Sequence, residues 1–366
     1  MKIYNVGIVG FGFIGKVHSY AYENIKYYYP DAPFRAKLFG VCTSKEETAK
    51  KAKEKYGIEF TTTDYKELIE NPDIEIVDIS SPNIYHYQQL VCVIRNKKNV
   101  YCEKPIVSTI EEAIQLENQL TKFDKVHQIT FHNRFIPATI KTKQLIDNGF
   151  LGQPTIFRIS YYHSGNLERE KPIGWKQEKG AGVLLDLGSH IIDLVYWFLG
   201  EFDEVIGSDM ILYPERPTKD GKTVKVEVED HIVINAKMKN GSVGTVGTIE
   251  ASKIATGTMD QLKYEIYGTK GAVRFNSEDY NFLEISSLNE SGFRKIFTGG
   301  NYDESNFPGS KFTSGWIRAH IHSVYNFLDS IHQNKEATPS LYDGIYNMKV
   351  IEKIKKSIRT KKWEKI

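Results

Sequence analysis

A short apolar run from Ile3 to Val9 stops at Gly10, and beyond a glycine-rich turn Val17, Tyr20, Ala21 and Ile25 recur at helical spacing. The order is strand, turn, helix. The same alternation continues: strands are expected over 36–42, 74–79, 100–102 and 126–131, and helices over 46–56, 65–70 and 85–96. Ser108, with Glu111 at the capping-box position, opens one more helix that reaches about residue 120. Strands separated by helices of this length predict a parallel, doubly wound sheet that holds ligands beyond the carboxyl ends of its strands.

From about Arg134 the alternation stops. A helix over 139–148 leads to a strand near 155–162, and a strongly apolar helix follows over 182–200. Strand-like patterns then occupy 204–210, 224–238, 242–250, 261–268, 272–276 and 283–287, with hairpin turns at Asn240-Gly241 and Lys270-Gly271. Helical patterns return over 324–331 and 345–358. The chain therefore reads as α/β with two domains. A Rossmann-type, doubly wound parallel sheet is expected over 1–130. An α+β domain over 131–366 carries a large, mostly antiparallel, open-faced sheet, and its C-terminal helices can pack back on the first domain. A free sheet face of that size suits a second copy of the chain, so a homo-oligomer is expected.

Composition narrows the function classes. The 366 residues exceed the usual single-domain size, and 40% hydrophobic with 26% charged content suits an ordinary soluble globular protein. A net charge of +2 is too near neutral to imply nucleic acid or an acidic membrane as partner. Cys42, Cys92 and Cys102 have no paired spacing and fall in apolar patterns, as buried thiols of a reducing compartment would. The first strand starts at once, leaving no room for a signal peptide, and no apolar run approaches the roughly 18 residues needed to span a bilayer. The expected location is the cytoplasm.

The candidate chemistry begins at Gly10-x-Gly12-x-x-Gly15. Gly10 permits the tight turn, Gly12 lets backbone N–H groups approach a pyrophosphate, and Gly15 lets the following helix pack on the strand. Phe13 and Ile14 form the start of that helix, whose N-terminus offers unpaired N–H groups to phosphates. The loops at Gly10, Thr43, Ser81 and Glu103 fall on one sheet edge and so form one crevice. An NAD site usually has a carboxylate at the end of the second strand to bond the ribose 2′-hydroxyl. Here that place reads Thr43-Ser44-Lys45, which tilts the choice between NAD and NADP towards NADP.

Asp186, Ser189, His190 and Asp193 stand at i, i+3, i+4 and i+7, so an α-helix would place them on one side. Buried, such groups need partners, and an internal hydrogen-bonded network is one account of them. Metal binding is not expected, because nothing nearby completes a ligand set around Asp186 and His190. Lys104, at the sheet edge between Glu103 and Pro105, supplies the other account. Oxidation of a carbinol needs a base for the O–H proton, a task suited to His190, with Asp186 one turn back to orient it. Lys104 can hold the substrate oxygen and relay a proton. Arg134, Tyr162, His163, Asn166 and Trp175 are candidates to line a substrate pocket, and His320 and His322, in a helix entered after Trp316, are further ones.

At this point the sequence resembles the Gfo/Idh/MocA oxidoreductases. The resemblance rests on the glycine motif, Ser81-Pro82-Asn83-x-x-His86, Glu103-Lys104-Pro105, Arg134-Phe135-x-Pro137 and Asp186-Leu187-Gly188-Ser189-His190-x-x-Asp193. It continues more weakly through Asn240-Gly241 and Pro339-Ser340-x-x-Asp343-Gly344. It implies that Lys104, Asp186 and His190 form the catalytic group, and that Ser81, Pro82, Asn83, His86 and Glu103 line the nicotinamide and its ribose. It implies an NAD(P)-dependent enzyme acting on a sugar or polyol, inositol- or pyranose-like, and a homodimer or homotetramer formed through the C-terminal sheet. Two alternatives share the family: a glycosidase that uses retained NAD, and a regulator that binds dinucleotide without turnover.

Overall fold

In the computed structural model, which describes residues 1–174, 181–239, 244–299 and 302–366, the first apolar run is β1 (Lys2–Val9) and the glycine turn feeds α1 (Phe13–Tyr28). The chain then passes through β2 (Phe34–Cys42), α2 (Glu46–Tyr56), β3 (Phe60–Thr62), α3 (Tyr65–Glu70) and β4 (Ile76–Ile79). It continues with α4 (His86–Arg95), β5 (Asn99–Cys102), α5 (Ile110–Leu120) and β6 (His127–Ile129). These six strands are all parallel, in the order β3-β2-β1-β4-β5-β6. The reversal at β1 creates the switch point at which such sheets bind ligands.

Two compact units divide the chain: Met1–Ile136 with Gly300–Met348, and Pro137–Gly299 with Lys349–Ile366. The first unit is held by Val6 and Ile8 of β1, Ala21 and Ile25 of α1, and Ile321, Val324, Phe327 and Leu328 from residues 316–333, all buried in one cluster. Those last residues belong to a helix that starts at Trp316, as its expected entry implies, and so runs ahead of the periodic stretch 324–331. Arg318, His320 and Ser323 are buried in its first turns, so the inward face is partly polar and its periodicity is hidden in the sequence. The cap of α5 also moves by one residue. Thr109 Oγ1 accepts from Glu112 N–H at 3.2 Å while Glu112 accepts from Thr109 N–H, so the box is Thr109/Glu112 and not Ser108/Glu111.

The second unit opens with α6 (Pro137–Asp147) and β7 (Pro154–Tyr162), and later α7 (Ser189–Leu199). Its strands are β8 (Phe202–Met210), β9 (Glu215–Pro217), β10 (Thr223–Lys225), β11 (His231–Met238), β12 (Thr245–Ser252), β13 (Gln261–Gly268), β14 (Gly271–Asn276), β15 (Phe282–Ser287) and β16 (Arg294–Phe297). The remaining elements are α8 (Trp316–Gln333), already met in the first unit, α9 (Leu341–Thr360), within which the division between the units falls, and β17 (Glu364–Lys365). Among the described residues the large sheet has nine strands, ordered β16-β15-β14-β13-β7-β12-β11-β8-β17. β7 and β12 are parallel and the other neighbours antiparallel, so the sheet is mixed and mostly antiparallel.

Two expectations change here. The strand read over 224–238 divides into β10, which pairs with β9 in a two-stranded sheet, and β11. The break falls where Glu229 and Asp230 turn inward to accept hydrogen bonds from Leu184 N–H and Leu212 N–H. The helix read over 182–200 is not one α-helix: a π-helical turn over Leu184–Gly188 precedes α7. A π turn widens the spacing, so Asp186 and His190 are not related as i and i+4 of an α-helix. The Lys270-Gly271 turn does join antiparallel neighbours, whereas Asn240-Gly241 lies outside the described residues. Among the described residues no helix is long and apolar enough to cross a membrane.

Candidate active site

Backbone hydrogen bonds fix one edge of the first unit's sheet. The residue after each strand donates back to a neighbour: Gly10 N–H to Cys42 O at 2.9 Å, Ser80 N–H to Val9 O at 2.8 Å and Glu103 N–H to Ile79 O at 2.8 Å. The loops at Gly10, Thr43, Ser81 and Glu103 therefore all leave from the carboxyl ends of their strands. Gly10 has φ of 95°, and a Cβ there would lie 2.6 Å from Ser81 N. A Cβ on Gly15 would meet Gly10 O at 2.2 Å, whereas one on Gly12 would have nothing within 4 Å. Gly12 is the N-cap of α1, with no side-chain cap and no acidic residue in the first turn. Open space over a bare, positively polarised helix N-terminus fits a pyrophosphate.

The remaining cofactor candidates differ in character. Thr43 is buried, donates to Lys45 O at 2.8 Å and accepts from Thr48 Oγ1, while Ser44 and Lys45 are exposed. Ser81 Oγ donates to Gln89 Oε1 at 2.6 Å, and Asn83 Nδ2 to Ser108 Oγ at 3.1 Å. His86 is fully buried, with Nδ1 2.9 Å from Pro105 O and Nε2 2.8 Å from Ser81 O. Burial lowers its pKa, the two carbonyls act against that shift, and the ring ties the loop after β4 to the loop after β5. Phe13 is 75% exposed, and its ring stacks on Trp316 at 6.0 Å.

Beneath that edge lies a buried charge cluster with no place in the sequence reading. His18, on α1, is 0% exposed; its Nδ1 is 3.0 Å from Asp78 Oδ2 and its Nε2 is 3.3 Å from Glu103 Oε1. Burial alone would lower the His18 pKa, but the charge and hydrogen bond of Asp78, followed by those of Glu103, outweigh it and raise the pKa to about 10. His18 is thus an imidazolium between two carboxylates. Glu103 also accepts from Lys104 N–H at 3.1 Å, so the cluster reaches the backbone of Lys104, whose side chain is partly exposed. The signal was Asp78 itself: a carboxylate within a buried strand has to be paired.

In the second unit, Asp186 sits in the π turn with its Oδ2 3.1 Å from Lys253 Nζ. His190 is buried in the first turn of α7, its ring 5.8 Å from that of Tyr161, and the Asp186 charge is among those that raise the Tyr161 pKa after burial itself. Asp186 and His190 therefore both border Tyr161. Successive strand residues face opposite ways, and the Tyr162 hydroxyl instead meets Glu250, which with burial raises its pKa. Asn166 is buried and donates to Asp230 Oδ1 at 2.7 Å. His163 Nδ1 accepts from Gly165 N–H at 3.0 Å.

Arg134 belongs to the first unit, where it donates to Asp343 Oδ1 at 2.8 Å with a side chain 3% exposed. His320 and His322 are core residues of the same unit: burial first of all holds both well below the usual histidine pKa, and His322 Nδ1 is 2.6 Å from the Tyr29 hydroxyl. Trp175 lies outside the described residues. Among those residues, no group of three His, Cys, Asp or Glu side chains could hold a metal ion.

Comparison with known proteins decides the lineage. Residues 4–131 match the model described as "Oxidoreductase family, NAD-binding Rossmann fold", and residues 143–366 match "Oxidoreductase family, C-terminal alpha/beta domain". The chain belongs to the Gfo/Idh/MocA family. Levoglucosan dehydrogenase of Pseudarthrobacter phenanthrenivorans is similar to it, 30% identical across 99% of this chain and 98% of that one. Myo-inositol 2-dehydrogenase of Thermotoga maritima is 28% identical across 73% and 74% of the two chains. A structure of levoglucosan dehydrogenase in complex with NADH and levoglucosan superposes with a TM-score of 0.95 at 29% identity, covering 100% of this chain and 99% of that one. This family member was solved with NADH, and the tilt towards NADP has no support in these comparisons.

Proposed function

We propose that the protein is an NAD-dependent dehydrogenase that interconverts a carbinol and a ketone on a sugar or polyol. The carrying observation is Lys104 at the carboxyl edge of the parallel sheet, one residue beyond a carboxylate anchored to the helix of the glycine turn. Full-length similarity to a sugar dehydrogenase supports the same reading, and nothing favours a glycosidase or a silent regulator.

The first turn of α1 would hold the pyrophosphate, and Ser81, Pro82 and Asn83 would flank the nicotinamide end. A bound NAD would supply the acceptor for the hydride that leaves the carbinol carbon. His190 takes the O–H proton, Asp186 orients His190 and favours its charged form, and the Lys104 ammonium holds the oxygen as it gains alkoxide character. Asn166 and Tyr161 are the pocket residues this reading prefers, Tyr161 in place of Tyr162. The turn at Thr43-Ser44-Lys45 offers no carboxylate to the adenine ribose, so discrimination against NADP is weak even though NAD is the working form.

The test is a screen of levoglucosan, myo-inositol and simple pyranoses with each dinucleotide, following nicotinamide absorbance. Reduction of NAD by at least one of them is expected, and Lys104→Met should lower kcat by about 10²–10⁴-fold without loss of fold. Wild-type turnover in that variant would remove Lys104 from the mechanism. The proposal includes self-association through the large sheet, supported by Ile156 and Val246, register partners 44% and 49% exposed. A monomer by light scattering would refute that part.

A further inference from the structure

Lys253 lies one residue beyond β12 and is only 2% exposed, an environment that disfavours an ammonium without a counter-charge. The counter-charge is Asp186, 3.1 Å away. Its backbone is gripped on both sides: Lys253 N–H donates to Asp230 O at 2.8 Å, and Asn166 N–H donates to Lys253 O at 2.9 Å. Asn166 Nδ2 then closes the ring on Asp230 Oδ1 at 2.7 Å. Glu229, next along the chain, accepts from Leu184 N–H at 2.8 Å and so pins the start of the π turn that carries Asp186. Both the turn and its carboxylate are thus anchored to the segments around residues 230 and 253.

Resting on the reading that Asp186 serves the reaction, we infer that Lys253 is a positioning residue, whose ammonium holds the Asp186 carboxylate ionised and in one place for its work with His190. Asp186 also lies within electrostatic reach of the Tyr161 hydroxyl, and the Glu229 carboxylate binds the start of its turn, so acidic groups already surround it. Lacking the Lys253 charge, it would take up a proton more readily. Substrate contact by Lys253 is not required. The residue acts through Asp186.

The experiment uses the full-length protein with NAD and levoglucosan, or whichever sugar of the screen above reduces NAD, and compares Lys253→Met, Lys253→Gln, Asp186→Asn and the Lys253→Met/Asp186→Asn pair. Lys253→Met is expected to lower kcat about 10²-fold by misplacing the carboxylate, to move the acid limb of kcat/KM to higher pH, and to leave NADH affinity unchanged. The double variant should be no slower than Asp186→Asn alone, because both changes remove the same interaction. Lys253→Gln keeps a hydrogen-bond donor without the charge; it covers the case in which the Met variant does not fold and should show the same shift of the acid limb. Wild-type kcat and pH profile in either neutral variant would overturn the inference. So would losses that multiply in the double variant. If Asp186→Asn itself keeps full turnover, the fault lies in the role given to Asp186 and not in Lys253.

Discussion

The two units bury charge to different depths. In the first, one imidazolium, His18, serves two carboxylates, Asp78 and Glu103, and the side chains of His18 and Asp78 are fully closed to solvent. In the second, one ammonium, Lys253, pairs with Asp186, whose side chain keeps 11% exposure, and its charge also reaches Glu229. The first cluster joins α1, β4 and the loop after β5, so its natural function is architectural: it sets the backbone from which Lys104 projects. The second joins a strand end to a π turn, and its carboxylate retains a path to solvent or substrate. Removing the shared cation should therefore harm folding in the first unit and chemistry in the second.

The largest effect is expected at His18. His18→Phe leaves Asp78 and Glu103 buried without a counter-charge, a loss of about 3–5 kcal/mol, seen as a lower denaturation midpoint whether or not cofactor is present. Comparable damage from Lys253→Met would erase the distinction between the clusters. A His18→Phe protein with wild-type stability and impaired turnover would reverse it.

The pH response sharpens the same contrast. The His18 pKa is raised to about 10 in the folded chain, against about 6.5 for an unfolded histidine. Its contribution is therefore complete below about pH 6.5, because the ring is charged in both states there. It declines as pH rises, since only the folded ring keeps its proton, and it is gone above about pH 10. His127, of the same unit, has the opposite sign: burial lowers its pKa to about 4, so its contribution is present above about pH 6.5 and lost as pH falls towards 4. Melting temperature followed from pH 5 to 10 should fall at both ends. Replacing His18 should flatten the alkaline side alone, and an unchanged alkaline side would show that the imidazolium is not what holds the unit.

How much of this was legible in the sequence depends on whether a residue's neighbours are local. The parallel sheet was legible because most of its strands lie in apolar runs separated by periodic helices, whereas β3, Phe-Thr-Thr, is too short and too polar to stand out and was not expected. The place of Lys104 was legible because it lies two residues beyond the end of β5, and topology alone puts strand ends on one edge. Asp78 left a trace as a carboxylate inside Ile76–Ile79, but nothing local named His18 as its partner. Lys253 left none: between Ser252 and Ile254 it looks like any lysine leaving a strand, and its partner is far away along the chain. The π turn was equally hidden, since the residues of Leu184–Gly188 suit an α-helix and its partners, Glu229 and Lys253, come from elsewhere in the chain. Tyr161 and Tyr162 show the limit of pattern at its finest, where a shift of one residue changes the sheet face.

The smallest effect on the fold, and the cleanest separation of architecture from chemistry, is expected at Gly12. Its neighbours in the motif are fixed by packing, Gly10 by its positive φ and the approach of Ser81, Gly15 by contact with Gly10 O. Gly12 has no such constraint: its φ of −80° suits any residue, and an added methyl group would touch nothing within 4 Å. Gly12→Ala should then cost at most about 1 kcal/mol, the usual loss for alanine at a helix N-cap. If that open space is where the pyrophosphate rests, the same methyl group should weaken NADH binding by roughly tenfold or more, about 1.4 kcal/mol. Fluorescence titration with NADH, set beside a melting curve of the same sample, separates the two quantities. Undiminished NADH affinity in Gly12→Ala would mean that the phosphates lie elsewhere, and the first unit would then be read as a scaffold whose bare helix N-terminus serves another anion.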